Sequence, residues 1–265
     1  MHDLIIRGGT IAAGSGQPIR AGDVAIDGSI VTEVGKVEGP ARRVIEADGL
    51  LVTPGWVDIH THYDGQATWD PEVSPSGWHG VTTVVMGNCG VGFAPARESD
   101  RAWLIQLMEG VEDIPGAALA EGMNWNWETF GEYLDELERT DRVLDVASLV
   151  PHGALRAYVM GEGRANDVAN GEEIAEMAAL VREAVQAGAI GASTTRTILH
   201  RAKDGELAAG TTAAADELIA IGEALLVMVV ATLSMQRLEI WQRASRMLAE
   251  AKGSIGPPPP SSLVS

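Results

Sequence analysis

The rhythm of apolar residues changes at Pro54, and that change sets the fold classes open to this chain. Before it, short β-rich runs alternate with Gly and Asp turns: "LIIRGG", "GDVAIDG", "IVTEVG", "RRVIEADG" and "LLVTPG". Asp27-Gly28 between two apolar runs is a hairpin signal. Residues 1–54 are therefore expected to form a small all-β unit. After Pro54, apolar runs of strand length alternate with helical periods, the signature of βαβ units and a parallel sheet. Strands are expected at 55–62, 81–88, 144–152, 189–195 and 225–232, and helices at 100–109, 127–139, 171–187 and 213–224. The segment 172–187 has the clearest helical period, and Gly188 is a natural C-terminal cap.

A closed (β/α)8 barrel needs eight such units and about 250 residues. After the β unit about 210 of the 265 residues remain, and they hold four or five strands. The expected fold is thus α/β, an incomplete (β/α)8 TIM-type barrel over 55–252 behind the small β subdomain. An incomplete parallel sheet leaves an unpaired edge, through which the chain is expected to self-associate. Residues 253–265, "GSIGPPPPSSLVS", carry a proline run and no core-forming pattern, and are expected to be a disordered tail.

Charge and cysteine usage narrow the function. With 37 acidic against 19 basic residues the net charge is -18, which offers no basic face for nucleic acid or an anionic membrane. The N-terminus "MHDLIIRGGT" reaches glycine too early for a signal-peptide core, and one cysteine, Cys89, cannot form an internal disulfide. A cytoplasmic setting is the expectation. The apolar run at 224–233 is about half of the roughly 20 residues a bilayer requires.

The residues with chemistry gather at strand ends. In "GWVDIHTHYD" (55–64), His60 and His62 are two apart, so on a strand they project from one face and can share a divalent cation. HxH alone equally fits two histidines hydrogen-bonded at a strand end. Asp64 shares their face. The next strand ends "VVMGNCGVGFAP", placing Cys89 at the same end of the sheet; its thiolate is a good zinc ligand, or its thiol a small buried hydrophobe. Gly87, Gly90 and Gly92 suit a tight turn or a close backbone approach to a ligand. The third strand ends at His152, and the fourth offers Ser193, Thr194, Arg196 and His200. Asp64, His152, Ser193 and Arg196 are taken as substrate-binding candidates, Arg196 because a guanidinium can pair with a carboxylate. His79 and His2 are read as structural.

The stretch "GGTIAAGSG…DVAIDGSIVTEVG…IEADGLLVTPGWVDIHTHYDGQ" resembles the opening of the metal-dependent amidohydrolase superfamily, which surrounds a (β/α)8 barrel with a small β-sandwich. Within it, "HTHYDGQATWDP", "GVTTVVMGNCGVGFAPAR", "MEGVEDIPGAALAEGMNWNWETFGEYLD", "VASLVPHGALR" and "GAIGASTTR" resemble the D-aminoacylases, the N-acyl-D-amino-acid deacylases. The resemblance covers about residues 1–223. It implies that His60, His62 and Cys89 hold zinc and that the substrate is an N-acyl-D-amino acid, hydrolysed to a carboxylate and a D-amino acid. Dihydroorotases and hydantoinases use a carboxylated lysine on the fourth strand; here that strand, "AIGASTT", has none, which favours the deacylase branch.

The family also draws two zinc-binding histidines from its fifth and sixth strands and a general-base aspartate from its eighth. No histidine follows His200, and no aspartate matching that base follows Glu223, so the catalytic base is unassigned. The abrupt change of pattern at 224 leads us to expect a truncated or frameshifted barrel. Two alternatives follow: a non-catalytic half-barrel that binds one metal, and a cyclic-amide hydrolase of the dihydroorotase or hydantoinase kind.

Overall fold

Asp27 pairs with Ile30 across the two-residue loop Gly28–Ser29, where Gly28 adopts a φ of 59°, so the hairpin expected at Asp27-Gly28 is present. It belongs to a computed structural model that describes residues 1–232. The chain divides into two compact units, Met1–Val57 with Trp78–Thr83, and Asp58–Gly77 with Val84 onward.

The first unit is built on β1 (His2–Ile11), β2 (Arg20–Asp27), β3 (Ile30–Gly35), β4 (Ala41–Glu46) and β5 (Leu51–Val52). They form one sheet in the order β3-β2-β1-β4, with β5 also paired to β1. The β1-β2 and β2-β3 pairs are antiparallel; β4 and β5 run parallel to β1. Its small core is Ile5 facing Ala25 across the β1-β2 pair, with Val37 beside them. Ile30, Val31 and Val34 on β3 stay exposed. His2 is tied down by Asp27, its Nδ1 2.9 Å from Oδ2, while His79 lies on the surface.

The second sheet runs β6 (Trp56–Asp58), β7 (Val81–Met86), β8 (Asp145–Pro151), β9 (Gly191–Ser193), its strands side by side in chain order. β8 and β9 are parallel, in register from Leu149 opposite Gly191 to Pro151 opposite Ser193. Between and after these strands come α1 (Arg101–Glu112), α2 (Gly116–Gly122), α3 (Phe130–Arg139), α4 (His152–Met160), α5 (Gly171–Ala187) and α6 (Ala215–Thr232). This is the expected parallel half-barrel. Its main core joins Met86, Phe93, Leu104, Tyr133, Leu155 and Val181, from strands and helices alike.

Local signals explain where several helices start and stop. Thr129 Oγ1 accepts from Glu132 N while the Glu132 carboxylate accepts from Thr129 N, a capping box that opens α3. Asn170 and Glu173 do the same for α5, and Gly188, at a φ of 128°, donates to the Ala184 and Val185 carbonyls to close it.

Several expectations about the elements need correction. The segment 225–232 is not a strand but the end of α6; an unbroken apolar run carries no period to separate the two, and Asp216 and Glu217 in the first turn favour the helix dipole. The first barrel strand is three residues, not eight, because the Asp58 carboxylate accepts from His60 N and turns the backbone out of the ladder. The helices α2 and α4 were not foreseen: α2 has seven residues, and α4 follows Pro151 directly with no side-chain cap. The tail expected at 253–265 lies outside the described residues. No helix among those described is long and apolar enough to cross a membrane.

A buried polar network joins α4 to α6. Glu217 Oε2 accepts from Arg156 Nη1 at 2.6 Å, and Glu217 Oε1 lies 2.6 Å from His152 Nε2, with all three side chains almost fully buried. Arg156 also donates to the Ala165 and Asp167 carbonyls. Burial pushes the Glu217 carboxyl up, but the bonds from His152 and Arg156 more than reverse it, leaving it below the ordinary 4.5. Removing one member of such a pair strands a buried charge at a cost of about 3–5 kcal/mol. We predict that Glu217→Gln lowers the unfolding free energy at pH 7, read from urea denaturation, by an amount in that range, with a lower midpoint. A depressed carboxylate stabilises the fold above its unfolded pKa, so the gap between variant and parent should narrow as pH falls below about 4. A midpoint unchanged at pH 7 would refute this.

Candidate metal centre

His60 and His62 lie just past β6, in a segment whose backbone still alternates sides. Thr61, between them, turns inward: its N and Oγ1 both bond the Val85 carbonyl of β7, at 3.0 and 2.8 Å. The two histidines face the other way, ring centroids 5.4 Å apart and tilted by 61°. The pairing expected from a strand is thus produced by a three-residue extension anchored to its neighbour.

Cys89 comes from the turn that follows β7. It holds a φ of 55°, a left-handed backbone that few residues other than glycine adopt, between Gly87 at 77° and Gly90 at 72°. Asn88 fixes the start of this turn by donating from Nδ2 to the same Val85 carbonyl, at 2.9 Å. Ser193, at the end of β9, accepts from Gly90 N at 2.9 Å and donates to the Gly87 carbonyl. The turn lies hard against β8, since a Cβ on Gly87 would come within 2.1 Å of the Leu149 carbonyl oxygen.

The result is a convergent donor set. One nitrogen each from His60 and His62 and the Cys89 sulphur all lie within 4.8 Å of one another, and His60 Nε2 is 3.2 Å from Sγ. Both ring nitrogens of His62 are buried without a hydrogen bond; Glu112 Oε1 stands 3.2 Å from Nε2, near enough for attraction but not aligned for a bond. A buried imidazole with no partner is costly unless something is bound there. Two imidazoles and a thiolate form a donor set that suits zinc.

The electrostatics point the same way. Burial, with His60 and His200 nearby, lowers the His62 pKa to about 4, leaving a neutral ring with a free lone pair at pH 7. Burial and the Glu112 carboxylate push the Cys89 thiol up to about 11. Burial, helped by Glu112, raises buried Asp64 to about 8, and its Oδ2 has no partner. A divalent cation among these groups would favour the ionised thiol and carboxyl.

The remaining candidates are placed as follows. The Asp64 main-chain carbonyl accepts from the Tyr133 hydroxyl at 2.8 Å, and its side chain is fully enclosed near Gly92. His152 is committed to Thr194 through Nδ1 and to Glu217 through Nε2. Ser193 spends its proton on Gly87. Arg196 is exposed and donates to the Ala213 carbonyl. His200 Nδ1 meets Thr195 Oγ1 at 2.9 Å. Glu112, beside His62 and Cys89, was missed; it ends a helix inside "MEGVED", where acidic residues are too frequent to single one out.

The pattern of the amidohydrolase family matches residues 43–243. The chain belongs to that family. It is 36% identical over 193 residues to a D-aminoacylase of Alcaligenes xylosoxydans xylosoxydans, covering 72% of this chain and 37% of that protein. Over 194 residues it is 39% identical to an N-acyl-D-aspartate deacylase of the same organism, again 72% of this chain and 36% of the other. The fold agrees: N-acyl-D-glutamate deacylase from Bordetella bronchiseptica, solved with zinc and a phosphonate inhibitor, superposes with a TM-score of 0.68 at 28% identity, covering 84% of this chain and 42% of that one. The amidohydrolase branch it sides with is the D-aminoacylases, and it spans about a third of the length of these curated relatives. The family match runs to residue 243, some way past the point where recognisable motifs end.

Cys89→Ala and His62→Ala should each weaken zinc binding by more than the roughly 10–100-fold that an outer-shell change costs. Equilibrium dialysis with elemental analysis reads this directly. Zinc content unchanged in Cys89→Ala would remove the sulphur from the site.

Proposed function

We propose that this amidohydrolase hydrolyses the amide bond of N-acyl-D-amino acids to a carboxylate and a free D-amino acid, with zinc held by His60, His62 and Cys89. The observation that carries the reading is the convergence of those three donor atoms within 4.8 Å, one of them on an imidazole buried without a hydrogen bond. The names of the relatives support the substrate class. Bound zinc would supply Lewis-acid polarisation of the amide carbonyl and acidify water toward neutral pH.

The chain's own residues set up that chemistry. His62, kept neutral by burial, presents a lone pair at pH 7 with no proton to displace. Cys89 would hold the cation as a thiolate, its proton released to solvent, with a negative sulphur beside the two imidazoles. Glu112 adds negative charge close to His62 and so favours a cation over an anion at this point. Asp64, unpartnered at Oδ2, stands two residues beyond His62 and is kept among the substrate-binding candidates, although its side chain is enclosed. His152, Ser193 and Arg196 complete the set of substrate-binding candidates; the bonds that His152 and Ser193 already make suit them to shaping the site's wall.

The test is release of a free D-amino acid from N-acetyl-D-amino acids by zinc-loaded protein, followed with D-amino-acid oxidase. Turnover of the D but not the L substrate, lost in Cys89→Ala, is the expected result. Zinc bound with no turnover of either enantiomer would leave a metal-binding half-barrel. Hydrolysis of cyclic amides alone would move the chain to the hydantoinase kind.

A further inference from the structure

The hydroxyl of Ser193 is bonded twice to the turn that carries Cys89. It donates to the Gly87 carbonyl and accepts from the Gly90 N–H at 2.9 Å, so one oxygen closes the peptide groups on either side of Asn88 and Cys89. These contacts reach across 106 and 103 residues of sequence, from the end of β9 to the end of β7.

The turn needs such a clasp. Three of its four residues have positive φ, and Cys89 is the one of the three with a Cβ to resist it. Packing confines the backbone from two sides: a Cβ on Gly87 would meet the Leu149 carbonyl oxygen at 2.1 Å, and one on Gly90 would meet Thr194 Cα at 3.2 Å. Packing alone limits where the turn can go; the directed bonds from Ser193 fix which way it is rotated, and with it the direction of the Cys89 side chain.

We propose that Ser193 is a positioning residue for the metal centre, holding the Cys89 sulphur toward His60 and His62, and not a group that donates to substrate. Its only proton points at Gly87, so it has none to offer a ligand. The inference rests on the reading of Cys89 as a metal ligand made above.

Threonine and valine have nearly the same shape and differ in the hydroxyl, so Ser193→Thr and Ser193→Val isolate the clasp from the space it fills. Each is prepared as the full chain and loaded with cobalt(II), whose thiolate charge-transfer absorption reports sulphur coordination. In parallel, the metal-free proteins are alkylated with iodoacetamide, which reports one site because Cys89 is the sole cysteine. We expect Ser193→Thr to match the parent, and Ser193→Val to bind cobalt about 10–100-fold more weakly, with a diminished thiolate band and faster alkylation. Equal affinity and equal alkylation in the two variants would overturn the proposal. So would a valine variant that loses its near-ultraviolet circular dichroism while threonine keeps it, for the hydroxyl would then support the fold and not the site. Absence of the thiolate band in the parent would sink the metal reading itself, whereas a normal parent with a normal valine variant sinks Ser193 alone.

Discussion

The carbonyl of Val85 accepts three hydrogen bonds, from Thr61 N, Thr61 Oγ1 and Asn88 Nδ2. Two of these come from the segment that carries the histidines, and the third from the turn that carries the cysteine. A single oxygen at the C-terminal end of β7 thereby sets the separation of His60, His62 and Cys89. Everything chemical in the site depends on it: with Thr61 held inward, the histidines must face outward, and with Asn88 held back, Cys89 must lead the turn forward. The barrel strands contribute by ending where they do.

The general fold was open to reading from sequence because its signals are periodic. Alternation of Gly and Asp turns with short apolar runs marked the β unit, and α5, with its C-terminal cap Gly188, was legible to the residue. The candidate metal donors stood out for a different reason: HxH and a cysteine at the next strand end are rare residue types in a rare spacing, and the fold brings their donor atoms together. What escaped had no periodic or compositional mark. The strand at 56–58 is cut short by one local side-chain bond from Asp58, and the extension that still aligns the histidines is held by tertiary contacts to Val85. The left-handed backbone at Cys89 has no signature of its own beyond flanking glycines. The pairing of Glu217 with Arg156 and His152 spans about sixty residues and is invisible to any local window.

Burial acts on the site in a single direction. It removes charge from every titratable group it encloses: His62 stays neutral far below its ordinary pKa, while the Cys89 thiol and the Asp64 carboxyl keep their protons well above theirs. The donor cluster is therefore rich in ligand atoms and poor in charge, a condition that favours a divalent cation. The buried ion pair between Arg156 and Glu217 handles the same problem by internal compensation, which is why it can sit in the core without a ligand.

The left-handed backbone at position 89 also limits how this site can change over time. Outside glycine, the residues that best tolerate that conformation are asparagine, aspartate and histidine. Two of those three are themselves metal ligands. A lineage losing the cysteine thus has accessible replacements that keep both the bend of the chain and a donor atom. They exchange a soft sulphur for a carboxylate oxygen or an imidazole nitrogen, and with it the range of metals the position prefers. Backbone geometry here biases evolutionary drift toward a change of donor atom before a loss of one.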